Sequence, residues 1–411
     1  MKDHVIITAG NIASRFLGLV VTVVYARALG PEYYGKFTIA FTVFVLLTQL
    51  GVAVEVLFLR GYGAQGQGEM SYAYHFKEKM KIGVGVLTGA LVLATAWWLL
   101  FGLGWGVAWS IVVIAAAVLS HYAYGTLLTV QQAAGQFAKY AKVQLGWSVL
   151  FCITAVTLVL VEIRTLPVLL LALWVPSIPW AIHAVRRERQ VSANSRGNVT
   201  DISERYSFAF GLVTGNILYA IYQRLDVLVL GAVGSMADVG VYGISVRFYT
   251  LALMASSSLS IVTQAQGANP TTWYAVSSRK EYLRKAWVYC GVVVGMSVVV
   301  GVLCEDLIRI LFGPEYVAAV VPARILLLAP PLVAFYMPYY YYYYAMAMHR
   351  RLIVVGVIQL AVIAAGLWLL VPHQGASGAA TAMVLGYLAG GILVVGDVLR
   401  LQATERVTRV S

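Results

Sequence analysis

Four arginines stand where an apolar chain should carry no charge. Arg15, Arg224, Arg247 and Arg324 fall inside runs of apolar residues long enough to cross a bilayer, and Glu55 and Asp226 join them. A charge at the bilayer centre costs at least about 2.5–3.5 kcal/mol on insertion scales, so such residues pair, reach water or hold a ligand. Arg15 lies about ten residues into its run, roughly 15 Å along a helix, which puts it near mid-membrane. Thr8, Asn11, Arg15 and Thr22 are spaced i, i+3, i+7 and i+14 and share one helix face. Asn216, Tyr219, Gln223 and Asp226 repeat such a stripe at i, i+3, i+7 and i+10. Arg224 precedes Asp226 by two positions, a spacing at which helical side chains point apart, so each needs a partner on another helix. All four intramembrane cations are arginine, whose planar fork suits bidentate contact with an oxyanion. The chemistry on offer is the holding of an anionic group in a hydrated cavity between two helical bundles.

The elements that must position these residues are transmembrane helices. Hydrophobic residues make up 61% and charged residues 11% of the 411 positions, against roughly 45–50% and about 25% in a soluble domain. Apolar runs of about 20 residues, the length that spans a bilayer, occur twelve times. They cover 5–28, 37–59, 80–101, 105–130, 143–161, 166–185, 207–233, 239–265, 286–303, 317–347, 352–371 and 376–399. The tenth contains Pro322, Pro330, Pro331 and Pro338 and is expected to break or kink, because each proline removes a backbone donor. The polar stretch 186–206 separates six spans from six, giving an N-terminal bundle (1–185), a linker and a C-terminal bundle (207–411).

With the N-terminus inside, 21 of the 29 lysines and arginines fall in inside segments and 4 in outside segments. That bias predicts a multi-pass protein of the plasma (inner) membrane with both termini in the cytoplasm. The same distribution argues against nucleic acid as the partner behind the net charge of +12, because the basic residues form no single patch.

Enzymatic motifs are missing. There is no Gly-x-Ser-x-Gly, His-Glu-x-x-His, Walker A or Cys-x-x-Cys sequence, the six histidines are scattered, and the three cysteines are isolated. No catalytic residue, metal site or cofactor is expected. Tyr339 to Tyr344 form a run of six tyrosines before Arg350-Arg351. Their expected place is an aromatic belt at the cytoplasmic interface, with stacking on sugar or isoprenoid as the alternative.

The two halves echo each other. Gly10-Asn11 returns as Gly215-Asn216 and Gly35-Lys36-Phe37 as Gly240-Val241-Tyr242, both at an offset of 205; Leu29-Gly30 returns as Leu230-Gly231 at 201. An offset of half the chain suggests two parallel halves.

Ser14-Arg15, Ala26-Arg27-Ala28-Leu29-Gly30-Pro31 and Tyr34-Gly35 carry a family resemblance in the first half. Arg224-Leu225-Asp226, Val239-Gly240-Val241-Tyr242 and Leu311-Phe312-Gly313-Pro314-Glu315-Tyr316 carry it in the second. On these residues the chain resembles the polysaccharide-biosynthesis, O-antigen-type oligosaccharide flippase family of the multidrug/oligosaccharidyl-lipid/polysaccharide exporter superfamily. The resemblance implies an all-α protein of about twelve transmembrane helices in two six-helix bundles forming a V around a central cavity. It implies alternating access and an isoprenoid-pyrophosphate-linked oligosaccharide carried from the cytoplasmic to the outer leaflet. It makes Arg15 and Arg224 candidates for the pyrophosphate and Asp226 for a coupling ion, proton or sodium. The charges and polar groups inside the spans add Asn11, Arg247 and Arg324 as substrate-binding candidates and Glu55 as an ion-coupling one. Membrane lipid and a polysaccharide polymerase or glycosyltransferase are the other implied partners. The rival readings are a drug or organic-cation antiporter, which should show more carboxylates than arginines, and a scaffold of a polysaccharide assembly complex. A membrane glycosyl- or phosphotransferase would need clustered acidic residues for a metal-bound sugar nucleotide, and none occur.

Overall fold

A computed structural model describes residues 2–51, 54–55, 68–101, 105–194, 222–267, 270–274, 276–346 and 348–410. Among the described residues the regular elements are all helical. Eleven helices carry the argument: α1 (Lys2–Gln49), α2 (Gly68–Phe101), α3 (Trp105–Ala133), α4 (Phe137–Leu160), α5 (Ile178–Asn194), α6 (Leu225–Val233), α7 (Met236–Gly267), α8 (Val276–Leu311), α9 (Val320–Leu326), α10 (Ala329–Ala345) and α11 (His349–Val410).

Among the described residues eight stretches are long and apolar enough to cross a membrane. Two of them hold a glycine break and supply two crossings each. In α1 the break is Gly30, at φ 69°, followed by Pro31. Glycine takes that left-handed φ without steric cost, and proline's fixed φ suits the first turn of the next helix. In α11 the break is Gly375, at φ 51°, three residues after Pro372. Helix α7 stands in the place of the eighth expected span and α6 at the end of the seventh, of which residues 207–221 lie outside the described residues.

Several boundaries differ from expectation. The second crossing starts at Pro31 rather than 37 and its helix ends at Gln49. Helix α2 begins at Gly68, well before 80, so Lys77 and Lys79 are helical rather than loop residues. The tenth span is broken as its prolines require. A short 3₁₀ segment (Pro314–Ala319) leads into α9, the chain turns at 327–328, and Pro330 and Pro331 sit in the first turn of α10. Of the expected linker, residues 186–194 belong to α5, and 195–206 lie outside the described residues.

The chain divides into two compact units, residues 1–224 and 225–411. In the first, α1 packs on α4 and α2 on α3. Small residues permit the close approach: a Cβ at Gly10 would lie 3.1 Å from the Cβ of Ala141. Tyr25 donates from its hydroxyl to the Leu169 carbonyl at 3.2 Å, and Tyr72 to that of Ala184 at 2.9 Å. These bonds let each phenol be buried with its hydroxyl satisfied.

In the second unit α8 shows why the sequence folds there. Tyr282, Ala286, Cys290, Val293, Ser297, Cys304 and Ile308 are buried at helical spacing, while Val288, Val298 and Val302 stand exposed as a lipid-facing stripe. Ser235 and Asp238 form a capping box at the start of α7. The Asp238 amide donates to Ser235 Oγ at 3.0 Å, and the Ser235 amide donates to Asp238 Oδ2 at 3.2 Å. Of the six-tyrosine run, Tyr339–Tyr343 belong to this unit's core rather than to a belt, and the Tyr344 side chain lies outside the described residues. Tyr342 and Tyr343 are buried beside Trp273 and Tyr282, with Tyr339 and Tyr340 packed against them. Trp273 meets Tyr342 edge to face at 5.0 Å and donates from Nε1 to the Gly267 carbonyl at 2.7 Å.

The internal echo also needs a new register. Gly30 is a turn, but Gly231 lies inside α6, so that pair is not equivalent. The turn of the second unit falls at Gly234-Ser235, about 205 residues after Gly30, in step with the outer pairs. Phe37 and Tyr242, which those pairs align, are both buried.

Candidate functional site

Arg15 sits near the middle of the first half of α1, exposed between Ile12 and Phe16, which are 61% and 64% accessible. Among the described residues it has neither hydrogen bond nor ion pair. The stripe it was expected to share is divided. Thr22 is buried, its hydroxyl donating to the Gly18 carbonyl at 2.9 Å. The Asn11 side chain lies outside the described residues, as do Asn216 and Tyr219.

Glu55 is held by Lys79 of α2 in an ion pair. The Lys79 side chain is 1% exposed and that of Glu55 31%. Gly125 of α3 makes the room: a Cβ there would stand 3.1 Å from Lys79 Nζ and 3.4 Å from Glu55 Oε1. Two histidines flank the pair, buried His75 one turn earlier on α2 and half-buried His121 one turn before Gly125 on α3, where it packs edge to face on Phe44. Charge counting hid Lys79 among loop cations. The signal was present: Tyr72, Phe76, Lys79 and Gly83 share one face of α2, so a lysine interrupts the buried side. Burying an ammonium demands a paired anion, and Glu55 supplies it.

Asp226 opens α6 and is buried. Its Oδ1 accepts the Val227 amide at 2.8 Å and its Oδ2 the Tyr242 hydroxyl at 2.6 Å. The helix partner that Asp226 required is thus Tyr242 of α7, a residue singled out for the internal echo and the family resemblance but not as a site residue. Arg224 lies in the turn just before α6 and is half-buried. Arg247 is half-buried in α7 and makes no hydrogen bond or ion pair among the described residues.

Arg324 is placed differently from the others. It is exposed, donates from Nε to the Gly301 carbonyl at 3.3 Å and pairs with Glu305 at 3.4 Å, sharing that carboxylate with Arg309 at 3.0 Å. A second acid–base pair joins the ends of α11, where Arg351 meets Asp397, which also accepts the Tyr343 hydroxyl at 2.8 Å.

Glu55 and Arg15 belong to the first unit; Asp226, Arg247 and Arg324 belong to the second. No group of three or more histidine, cysteine or acidic side chains able to hold a metal occurs among the described residues.

No family model and no curated protein matches the chain. Solved structures match it along nearly its whole length. The lipid II flippase MurJ, in an inward closed conformation, superposes with a TM-score of 0.70 at 13% identity, over 96% of this chain and 87% of that one. An inward-facing multidrug resistance MATE family transporter of the MOP superfamily gives 0.71 at 12% identity, over 95% of both chains. A MOP superfamily transporter from Pyrococcus furiosus, described as having a binding pocket of reverse polarity, gives 0.62 at 12% identity, over 98% and 95%. The fold is therefore one shared by lipid flippases and multidrug transporters of the MOP superfamily.

Proposed function

We propose that this chain is a transporter that carries an isoprenoid-pyrophosphate-linked oligosaccharide from the cytoplasmic to the outer leaflet by alternating access, for synthesis of a surface glycan. The observation that carries the reading is Arg15, a guanidinium halfway along the first crossing with no acidic partner among the described residues. A permanent cation in that place is costly unless water or an anion meets it. The pyrophosphate supplies two phosphates for bidentate guanidinium contacts, for which Arg15 and Arg224 are the candidates in the first unit and Arg247 is a separate candidate in the second. Arg324, engaged by Glu305, stays outside the substrate site.

The fold serves drug antiporters equally well, and the side chains favour the flippase. A transporter of organic cations needs carboxylates open to its substrate. Here Glu55 is occupied by a buried lysine, and Asp226 accepts from Tyr242 and a backbone amide. The same two acids are the candidates for a coupling proton or sodium ion. The chain works in the plasma (inner) membrane with both termini in the cytoplasm, beside a glycan polymerase or glycosyltransferase.

Reconstitution separates the two substrates. Proteoliposomes of the wild type should move a lipid-linked oligosaccharide and fail to exchange a cationic dye. Dye exchange without lipid movement would establish the antiporter instead. Orientation is tested by a cysteine at Ser192, expected to react with an impermeant thiol reagent only from the cytoplasmic side.

A further inference from the structure

The two ends of the second unit differ in charge. At one end, where α8 begins and α11 starts and finishes, Arg279, Lys280, Arg284 and Arg350 have no hydrogen-bond or ion-pair partner among the described residues. Two acids nearby are taken among the described residues: Glu281 pairs with Lys285 at 2.7 Å, and Asp397 pairs with Arg351. Arg400 adds a further exposed cation. The aromatic cluster of Trp273, Tyr282, Tyr342 and Tyr343 ties these helix ends together, with Leu283, Leu352 and Leu401 packed on it. At the opposite end Asp238, Glu305, Asp306 and Glu315 outnumber Arg309 and Arg324, and both arginines are bound to Glu305.

The free cations crown surfaces that face lipid. On α8, Lys280 and Arg284 are followed along one side by Trp287, 45% exposed, and Val288, 62% exposed. Spacings of i, i+4, i+7 and i+8 put all four on one stripe. On α11, Arg350 is followed by exposed Ile353, Val354 and Val357. Each stripe therefore reads cation first and aliphatic surface below it, with an indole at the boundary on α8. That is the order of chemistry in a phospholipid: phosphate, interface, acyl chain.

We propose that this end of the second unit is a binding collar for anionic phospholipids of the cytoplasmic leaflet, with Lys280, Arg284 and Arg350 holding headgroup phosphates and the α8 and α11 stripes holding acyl chains. The inference goes beyond the transport reading and does not depend on it. The collar anchors the second unit to one leaflet at the helix ends that the tyrosine core joins.

The test is native mass spectrometry of the full chain released from phosphatidylcholine micelles containing phosphatidylglycerol. The wild type should retain phosphatidylglycerol over phosphatidylcholine, and the Lys280→Gln, Arg284→Gln, Arg350→Gln triple variant should lose that preference. Three cations at roughly fivefold each near an anionic surface correspond to about a hundredfold weaker retention. Lys139→Gln, Lys142→Gln, Arg189→Gln in the first unit removes three exposed cations from the same membrane side and should change nothing. Equal loss in that control would mean diffuse attraction and would overturn the collar, as would equal retention of both lipids by the wild type. Inorganic pyrophosphate should not displace the bound lipid; displacement would show a site for soluble phosphate rather than for a lipid. No outcome depends on translocation, so the collar and the flippase reading fail separately.

Discussion

Each unit contains an acid–base pair that bridges its helices, and the two pairs are built differently. In the first unit Lys79 is sealed, 1% exposed against Glu55. In the second, Arg351 and Asp397 remain 42% and 33% exposed. The buried lysine has no recourse to water, so its charge depends on Glu55. The arginine keeps solvent on one side, and losing its partner leaves it hydrated. The difference separates charges that hold the fold together from those left for a ligand. Once both pairs are set aside, together with Glu305 and its two arginines, Arg15 and Arg247 remain as the arginines of the apolar runs that make no hydrogen bond or ion pair among the described residues.

The largest break in this comparison comes from removing one side of the buried pair. Glu55→Leu strands the sealed Lys79 and should lower stability by about 3–5 kcal/mol, read as a fall in the thermal unfolding midpoint of the purified protein. Adding Lys79→Met should restore most of that loss, because replacing a whole buried pair with apolar residues is often close to neutral. If the double variant stays as unstable as the single one, the pair is not the cause.

A smaller break comes from crowding the same place. Gly125→Ala puts a methyl group 3.1 Å from Lys79 Nζ and should cost about 1–3 kcal/mol, as overpacked cores do. Gly89→Ala on α2 meets nothing within 4 Å and should be neutral or stabilise by up to about 1 kcal/mol, the helix propensity difference. Equal effects at the two glycines would contradict the tight fit around the ammonium.

The half-exposed pair should give the smallest effect. Arg351→Gln is expected to cost under about 1 kcal/mol in the same melting experiment, as exposed ion pairs do. Tyr343→Phe, which removes the hydroxyl donated to Asp397, should cost about 1–2 kcal/mol and so exceed it. The reverse order would mean that the guanidinium, not the tyrosine core, organises that end.

Much of the architecture was legible in the sequence because membrane spans announce themselves by length and apolarity. Gly30-Pro31 marked its turn, and the prolines of the tenth span marked its break at 327–328. What remained hidden was hidden for physical reasons. Hydropathy averages over all sides of a helix, so it moved the start of α2 past Lys77 and Lys79 and read a buried cation as a loop charge. A tyrosine run fits an interface and a core equally well by composition; only packing against Trp273 and Tyr282 decides between them. Partners such as Tyr242 for Asp226 join different helices, and spacing within one helix cannot supply them. The offset of 205 relates the turn at Gly30 to the one at Gly234-Ser235 and fails at Leu230-Gly231, where a two-residue match lacks a structural counterpart; Gly215-Asn216 lies outside the described residues.

Translocation by Arg15 variants tests the central claim most directly. Lipid-linked oligosaccharide movement would be measured in proteoliposomes carrying wild type, Arg15→Lys or Arg15→Ala, each with its unfolding midpoint checked. The account predicts unchanged midpoints, loss of translocation in the alanine variant and partial activity with lysine, which keeps the charge but not the bidentate fork. Full translocation by Arg15→Ala would contradict it, and the anion site would then have to be sought elsewhere in the fold.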